Sequence, residues 1–326
     1  MRSLRNLLAG VLALTPGVRA QTWADLSSIP IGTLQEHITL ALSPIQLATV
    51  GGLDQAGSTI PALLLYDIPN NTWKQGAPAP TALNHPNAAV HDGKIYLLGG
   101  LTGVSGWRAT ANSWVYDPAA NSWTALAAMP AAAARGSAAS AVYNGTVFLA
   151  GGIPSSGGRT VDTVSAYNIA SNSWVDLPEL ATRLPGARDH ASYAQVGTKF
   201  YILGGRENGV NAVKDTVFIL DMADLAAGWK TSPAKMPTAR GGLAAAAIGT
   251  KIYTFGGEGN RAPNTRGVFN QTEVYDTIAD SWATLPAMKL PRHGMSAAEV
   301  GGKIYVPGGG IVQGQGATEV FDVFTP

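Results

Sequence analysis

Not one cysteine occurs in the 326 residues. Disulfide staples, thiolate metal sites and cysteine nucleophiles are therefore excluded, and stability has to come from burial and strand pairing. An excess of one charge is missing too: 22 Lys and Arg stand against 21 Asp and Glu, a net charge of +1 with no run of like charge. Such a surface offers little to nucleic acid or to an anionic membrane. Beyond the first twenty residues no apolar stretch is long enough to cross a bilayer. Helical periodicity is absent over the same span, so the chain reads as all-β.

Those first residues form a unit of their own. MRSLRN carries Arg2 and Arg5, LLAGVLALTPGV is apolar but short, and Val18-Arg19-Ala20 offers a cleavage site before Gln21. That layout is a secretory signal peptide over 1–20, which makes 21–326 an exported, soluble domain. Three Asn-x-Thr triplets, beginning at Asn70, Asn144 and Asn270, are candidate glycosylation sites at expected turns.

What the chain has in plenty is glycine, 39 residues of it. Adjacent pairs recur at Gly51-Gly52, Gly99-Gly100, Gly151-Gly152, Gly204-Gly205, Gly256-Gly257 and Gly308-Gly309, spaced by 48, 52, 53, 52 and 52 residues. Each pair closes a short apolar run, and a period near fifty means one supersecondary unit used six times. Within a unit, four apolar segments alternate with turn residues. In the third these are 137–142, the turn Asn144-Gly145, 147–150, 163–167 and 173–175, a four-stranded meander.

Tryptophan marks the fourth strand at Trp73, Trp123, Trp174, Trp229 and Trp282, after pairs such as Tyr66-Asp67 and Tyr275-Asp276. The sixth such pair, Phe321-Asp322, has no tryptophan behind it, while Trp23 near the other end has no strands ahead of it. A ring of sheets latched by the segment around Trp23, which completes the last unit, explains both facts.

These marks resemble the kelch repeat: apolar strand, Gly-Gly, Tyr-Asp, Trp, then Pro with Arg at Arg135, Arg188, Arg240 and Arg292. The resemblance covers 21–326 and implies a six-bladed β-propeller whose first strands line a central channel. The repeat arginines and tryptophans read as structural, since the tryptophans recur from blade to blade and packing between blades explains them. Small residues along the first strands, such as Ala244 to Ala247, suit six strands converging on one axis. Kelch propellers include enzymes, sugar-binding domains and protein-recognition modules, so the fold alone does not select a function. A copper radical oxidase of the galactose-oxidase type is excluded, because its cysteine–tyrosine cross-link needs a cysteine.

Counting twelve residues back from the second strand aligns Gln35 and Leu83 with the repeat arginines. Two residues further on stand His37, His85, Ser137, His190, Gly242 and Gly294; one residue further on stand Glu36, Asn84, Gly136, Asp189, Gly241 and His293. Four of the five histidines thus gather at one end of the channel. His37, His85 and His190, with Asp189 and Glu36, become candidate acid–base residues. Alternation along a strand prevents Glu36 and His37 from both facing the axis without a bulge. Arg206 and Glu258 follow glycine pairs in kelch geometry and approach the same face, as do Trp107 and Arg261 in long loops; with His293 they are candidate substrate contacts. Leu53, Leu101 and Ile153 make the opposite side apolar.

Two functions fit. One is an exported monomeric enzyme of isomerase, cyclase or lyase type, acting without a cofactor on a small molecule or sugar, with a divalent metal at the histidines as the alternative. The other is a non-catalytic propeller binding an extracellular glycan or protein.

Overall fold

A computed structural model describes residues 21–103 and 106–326. The leader expected over 1–20 lies outside the described residues. Six four-stranded antiparallel sheets succeed one another. Blade 1 is built from Ile38–Ser43, Gln46–Val50, Leu63–Asp67 and Thr72–Gln75, paired in that order from the axis outward. Blades 2 to 5 repeat it, with inner strands Ala88–His91, Ala139–Tyr143, Ser192–Val196 and Ala244–Ile248. Blade 6 has Ala298–Val300, Lys303–Pro307 and Phe321–Thr325 from the end of the chain, and Thr22–Asp25 as its outermost strand. Trp23 faces Phe324 in that pairing, so the ring is latched as expected.

The recurring residues have recurring jobs. Each outer-strand indole packs on its own blade and donates to a carbonyl next door: Trp73 to Ser27 O and Trp123 to Ala77 O, both at 2.8 Å. Trp23 packs against Phe255 and Phe324 at 5.3 and 5.0 Å between centroids. The tyrosines of the third strands donate to the turn that follows, Tyr66 to Asn71 Oδ1 at 2.6 Å and Tyr116 to Asn121 Oδ1 at 2.7 Å. Gly51, at φ +66°, shows why the glycine pairs exist: a β-carbon there would overlap the carbonyl of Leu83 in the next blade.

The repeat arginines are buried among strands, as expected. Arg240 and Arg292 reach Glu273 and Asp322 at 2.7 and 2.6 Å, and Arg188 lies over the Phe218 ring at 4.8 Å. Arg135 donates to carbonyls, to Ser165 Oγ (3.2 Å) and to the Met129 sulfur (3.8 Å), with no carboxylate among these partners. Blade 1 departs from the others at its inner hairpin. Ala41 faces Leu47 and Ser43 faces Gln46, which leaves Leu42 as an extra residue in a β-bulge. A twelve-residue count back through that bulge therefore stops one residue short, and the position equivalent to Arg135 is Leu34, not Gln35. Asn70 and Asn144 sit exposed in hairpin turns, whereas Asn270 is half-buried beside the buried Thr272. Among the described residues no helix is long and apolar enough to cross a membrane.

Candidate functional site

With the register corrected, Glu36, His85, Ser137, His190, Gly242 and Gly294 occupy one place in six blades. All six have positive φ, between 49° and 59°. Glycine adopts this conformation freely and other residues do so at a cost, so four side chains here mark a position held by its surroundings. What holds it is a chain of hydrogen bonds running around the axis. Glu36 N donates to Gly294 O, His85 N to Glu36 O, Ser137 N to His85 O, Gly242 N to His190 O and Gly294 N to Gly242 O, at 2.6 to 2.9 Å. His190 N completes the circuit through Ser137 Oγ at 3.0 Å. One residue earlier, Gln35, Asn84, Gly136, Asp189, Gly241 and His293 bridge Leu53, Leu101, Ile153, Arg206, Glu258 and Gly310 of the second-to-third-strand loops.

The ring closes one end of a channel of about 560 Å³ that runs the length of the inner strands. The walls are small residues such as Ala88, Ala138, Ser140 and Ala246, and the far rim carries His91, Gln195 and Glu299. Three side chains converge at the closed end. His85 Nε2 lies 2.8 Å from His190 Nε2 and 3.1 Å from Glu36 Oε2, and His190 Nε2 lies 3.9 Å from that same oxygen. Glu36 fits because Gly294 has no side chain: a β-carbon there would meet Glu36 Cδ at 2.7 Å.

A second layer fixes the imidazoles. Asn84 donates from Nδ2 to Thr59 Oγ1 at 2.7 Å, which leaves its Oδ1 to accept from His85 Nδ1 at 2.6 Å. Asp189 Oδ1 accepts from His190 Nδ1 at 2.7 Å, and Thr160 donates to the other oxygen of that carboxylate. In its neutral form each imidazole thus carries the proton on Nδ1 and turns an Nε2 lone pair inward. Arg206 pairs with Asp189 at 2.8 Å and also with Glu258. Its Nη2 is 2.9 and 2.8 Å from the two nitrogens of His190, so the guanidinium lies across the ring and not along one lone pair. His293 Nδ1 stands 3.7 Å from Glu36 and 3.5 Å from Glu258.

Burial works to raise the Glu36 pKa, but the neighbouring imidazoles of His85, His190 and His293 hold it well below the usual carboxylate range. Burial, then Arg206, pushes His190 down, so its imidazole is neutral near pH 7. Asp189 is also held low against burial, by its bond to His190 and by Arg206. The wall therefore offers a carboxylate and two imidazoles, that of His190 neutral near pH 7, backed by a guanidinium.

The sequence expectation for His37 differs from its placement. His37 is one residue past the ring and packs against Gly308 and Gly52 between blades 1 and 6. Its ring nitrogens have no hydrogen-bonding partner among the described residues, and burial pushes its pKa down to about 4. Glu36, His85, His190, Asp189, Arg206, Glu258 and His293 do come together. Trp107 lies against the site's own His85, 5.5 Å between ring centroids. Arg261 is exposed and donates to Asn211 O at 3.3 Å, away from the cluster. Leu53, Leu101 and Ile153 are buried on the apolar side. Asn84, Ser137 and Thr160 also join the site. The first two share aligned ring positions with the histidines, which was the available signal; nothing in the local sequence marks Thr160.

Known proteins agree with this architecture. Residues 47–319 match the Attractin/LZTR1 beta-propeller family. The chain belongs to the kelch β-propeller family. It is similar to Kelch-like protein terF of Aspergillus terreus, 38% identical over 349 residues, covering all of this chain and 74% of that protein. Kelch domain-containing protein 3 of Homo sapiens is 27% identical over 254 residues, 71% of this chain and 64% of its own length. Kelch-like protein 40 of Xenopus tropicalis is 28% identical over 178 residues, 54% of this chain and 27% of its own length. The chain thus spans less than two thirds of these vertebrate relatives. The solved structure of YjhT shares the fold at 16% identity, with a TM-score of 0.74 over 92% of this chain and 97% of that one.

Proposed function

We propose that this kelch propeller is an exported, monomeric enzyme of isomerase, cyclase or lyase type acting on one small molecule held in the channel. The observation that carries this is the end wall: Glu36, His85 and His190 meet inside a chamber lined by many alanines and serines together with larger apolar residues such as Leu40, Tyr193 and Leu243. Reactions of this class take a proton from one substrate atom, return it to another, and stabilise the anion between. The wall presents basic atoms toward the channel. Arg206 and the doubly fixed Asp189 behind them keep the imidazoles oriented while charge moves. The small walls suit a slender substrate that buries most of its surface.

The test is hydrogen exchange. The protein is incubated in D2O with hydroxyketones, lactones and reducing sugars, and deuterium incorporation or isomer interconversion is followed by NMR. Saturable exchange that Glu36→Gln and His190→Gln abolish supports the function; no substrate showing exchange above background removes it.

A second possibility is a non-catalytic binder of extracellular glycan or protein, and one observation favours it. Loops of blades 4, 5 and 6 are tied into a shared outer cover, with Gln313 Nε2 donating to Asn211 Oδ1 at 3.1 Å and Gln313 N to Arg266 O at 2.9 Å. A binder would lose its partner on replacing Arg261 and Arg266, with the channel wall untouched.

A further inference from the structure

We propose that Glu36 Oε2, His85 Nε2 and His190 Nε2 bind one divalent first-row metal ion, with its open coordination position facing the channel. The inference rests on the preceding section for what the ion would act upon, and on independent geometry for its binding.

Three observations carry it. First, metal bonds of about 2.0–2.1 Å in a tetrahedral shell place ligand atoms roughly 3.3 Å apart. The three separations here are 2.8, 3.1 and 3.9 Å, an irregular triangle centred on that edge. Second, both histidines are held in the tautomer a metal requires. Asn84 Oδ1 and Asp189 Oδ1 each accept an Nδ1 proton, so two Nε2 lone pairs and a carboxylate oxygen point at one another. Such a meeting of three electron-rich atoms is repulsive unless a proton or a metal ion lies between them, and outer acceptors on the far nitrogen are the usual support of metal-binding histidines. Third, the site is crowded with side chains that hold cations. The carboxylates of Glu36, Asp189 and Glu258 and the imidazoles of His85, His190 and His293 gather around the single guanidinium of Arg206. Arg206 does not block the site, because it lies across His190 and is already shared by two carboxylates.

Two imidazoles and one carboxylate with an open position suit zinc, iron(II), manganese or cobalt, and not calcium or magnesium, which prefer all-oxygen shells. The ion would polarise a substrate carbonyl or lower the pKa of a bound water, placing the base at the channel's closed end.

The experiment is titration of the full exported protein, freed of metal with a chelator and dialysed, with ZnCl2 by calorimetry and with CoCl2 by visible absorption. The expected result is one equivalent of zinc with Kd below about 1 µM, and cobalt bands of four- or five-coordinate intensity. Asn84→Ala and Asp189→Asn are expected to weaken binding about 10–100-fold, as loss of such outer partners does. Glu36→Gln is expected to weaken it further, and His37→Ala to leave it unchanged. Absence of saturable one-to-one binding by folded wild-type protein overturns the inference. So does equal binding by the Glu36→Gln and wild-type proteins. Deuterium exchange by a metal-free protein would likewise overturn it while leaving the catalytic function standing; tight binding without exchange would do the reverse.

Discussion

Gly294 and Gly242 provide a matched pair of perturbations at the ring. Both have φ near +57°, both belong to the circuit of backbone hydrogen bonds, and both are replaced by side-chain-bearing residues in four other blades. Alanine at either position bears the same left-handed strain, about 1 kcal/mol. The sites differ in what a β-carbon meets. At Gly242 the nearest atoms are Gly294 N at 3.3 Å and Glu258 Cγ at 3.6 Å, which small shifts accommodate. At Gly294 it collides with the Glu36 carboxylate, 2.7 Å from Cδ, so Glu36 must leave His85, now 3.1 Å away. Pushing that buried carboxylate aside to admit an extra carbon costs about 1.5–3 kcal/mol more. Gly294→Ala is therefore expected to be destabilised by about 2.5–4 kcal/mol and Gly242→Ala by about 1. At roughly 2–4 °C per kcal/mol, thermal denaturation separates them by about 3–12 °C. Double variants carrying Glu36→Ala should erase the difference, since no carboxylate remains to displace. Equal losses from the two single variants, or a difference that survives Glu36→Ala, would refute the placement of Glu36 at the axis.

Other outcomes follow from the blades. Ser165 holds in blade 3 the place of Glu273 and Asp322, so Ser165→Asp is expected to give the buried Arg135 a carboxylate and stabilise by about 1–2 kcal/mol. Burial pushes the Arg135 pKa down to about 10, a penalty of about 3 kcal/mol that a partner partly relieves, less the cost of burying the new charge; a fall in the urea midpoint would contradict this. Trp23→Ala removes the indole from Phe255 and Phe324 at the latch and is expected to cost about 3 kcal/mol by chemical denaturation, with no loss meaning that the latch contributes nothing. Alkali should act through the corner tyrosines. Burial raises the Tyr66 phenol to about 12, so its contribution is complete below pH 10 and lost as pH climbs through about 12. Tyr66→Phe should flatten that decline in melting temperature.

Much of the ring was legible because its causes are repeated. Six glycine pairs, five outer-strand tryptophans and the unmatched Trp23 fix blade number and closure, since the blades solve one packing problem with recurring residues; Phe321-Asp322, aligned by sequence with Tyr275-Asp276, stands instead at the place of Thr272-Glu273. The site was legible only where it shares that repetition. Asp189, His190 and His85 align by counting, and Arg206 and Glu258 by their place after glycine pairs. The misassignment of His37 has a local cause, the bulge at Leu42, which breaks the count in one blade and exchanges the roles of two neighbours. Alternation already required a choice between Glu36 and His37, and the bulge decides it for Glu36. Thr160 and the hairpin Gly310–Val312 with Gln315–Ala317 lie in loops that no repeat describes. The same distinction bears on function. Repeated positions are set by the ring, whereas the residues that differ from blade to blade at one ring position are free of that constraint. Four distinct side chains there, Glu36, His85, Ser137 and His190, hold strained φ angles that glycine accepts freely in the other two blades. Ser137 serves the circuit itself through Oγ; at the other three positions glycine would have met the structural need, so the strain there is retained for what Glu36, His85 and His190 do together at the end of the channel.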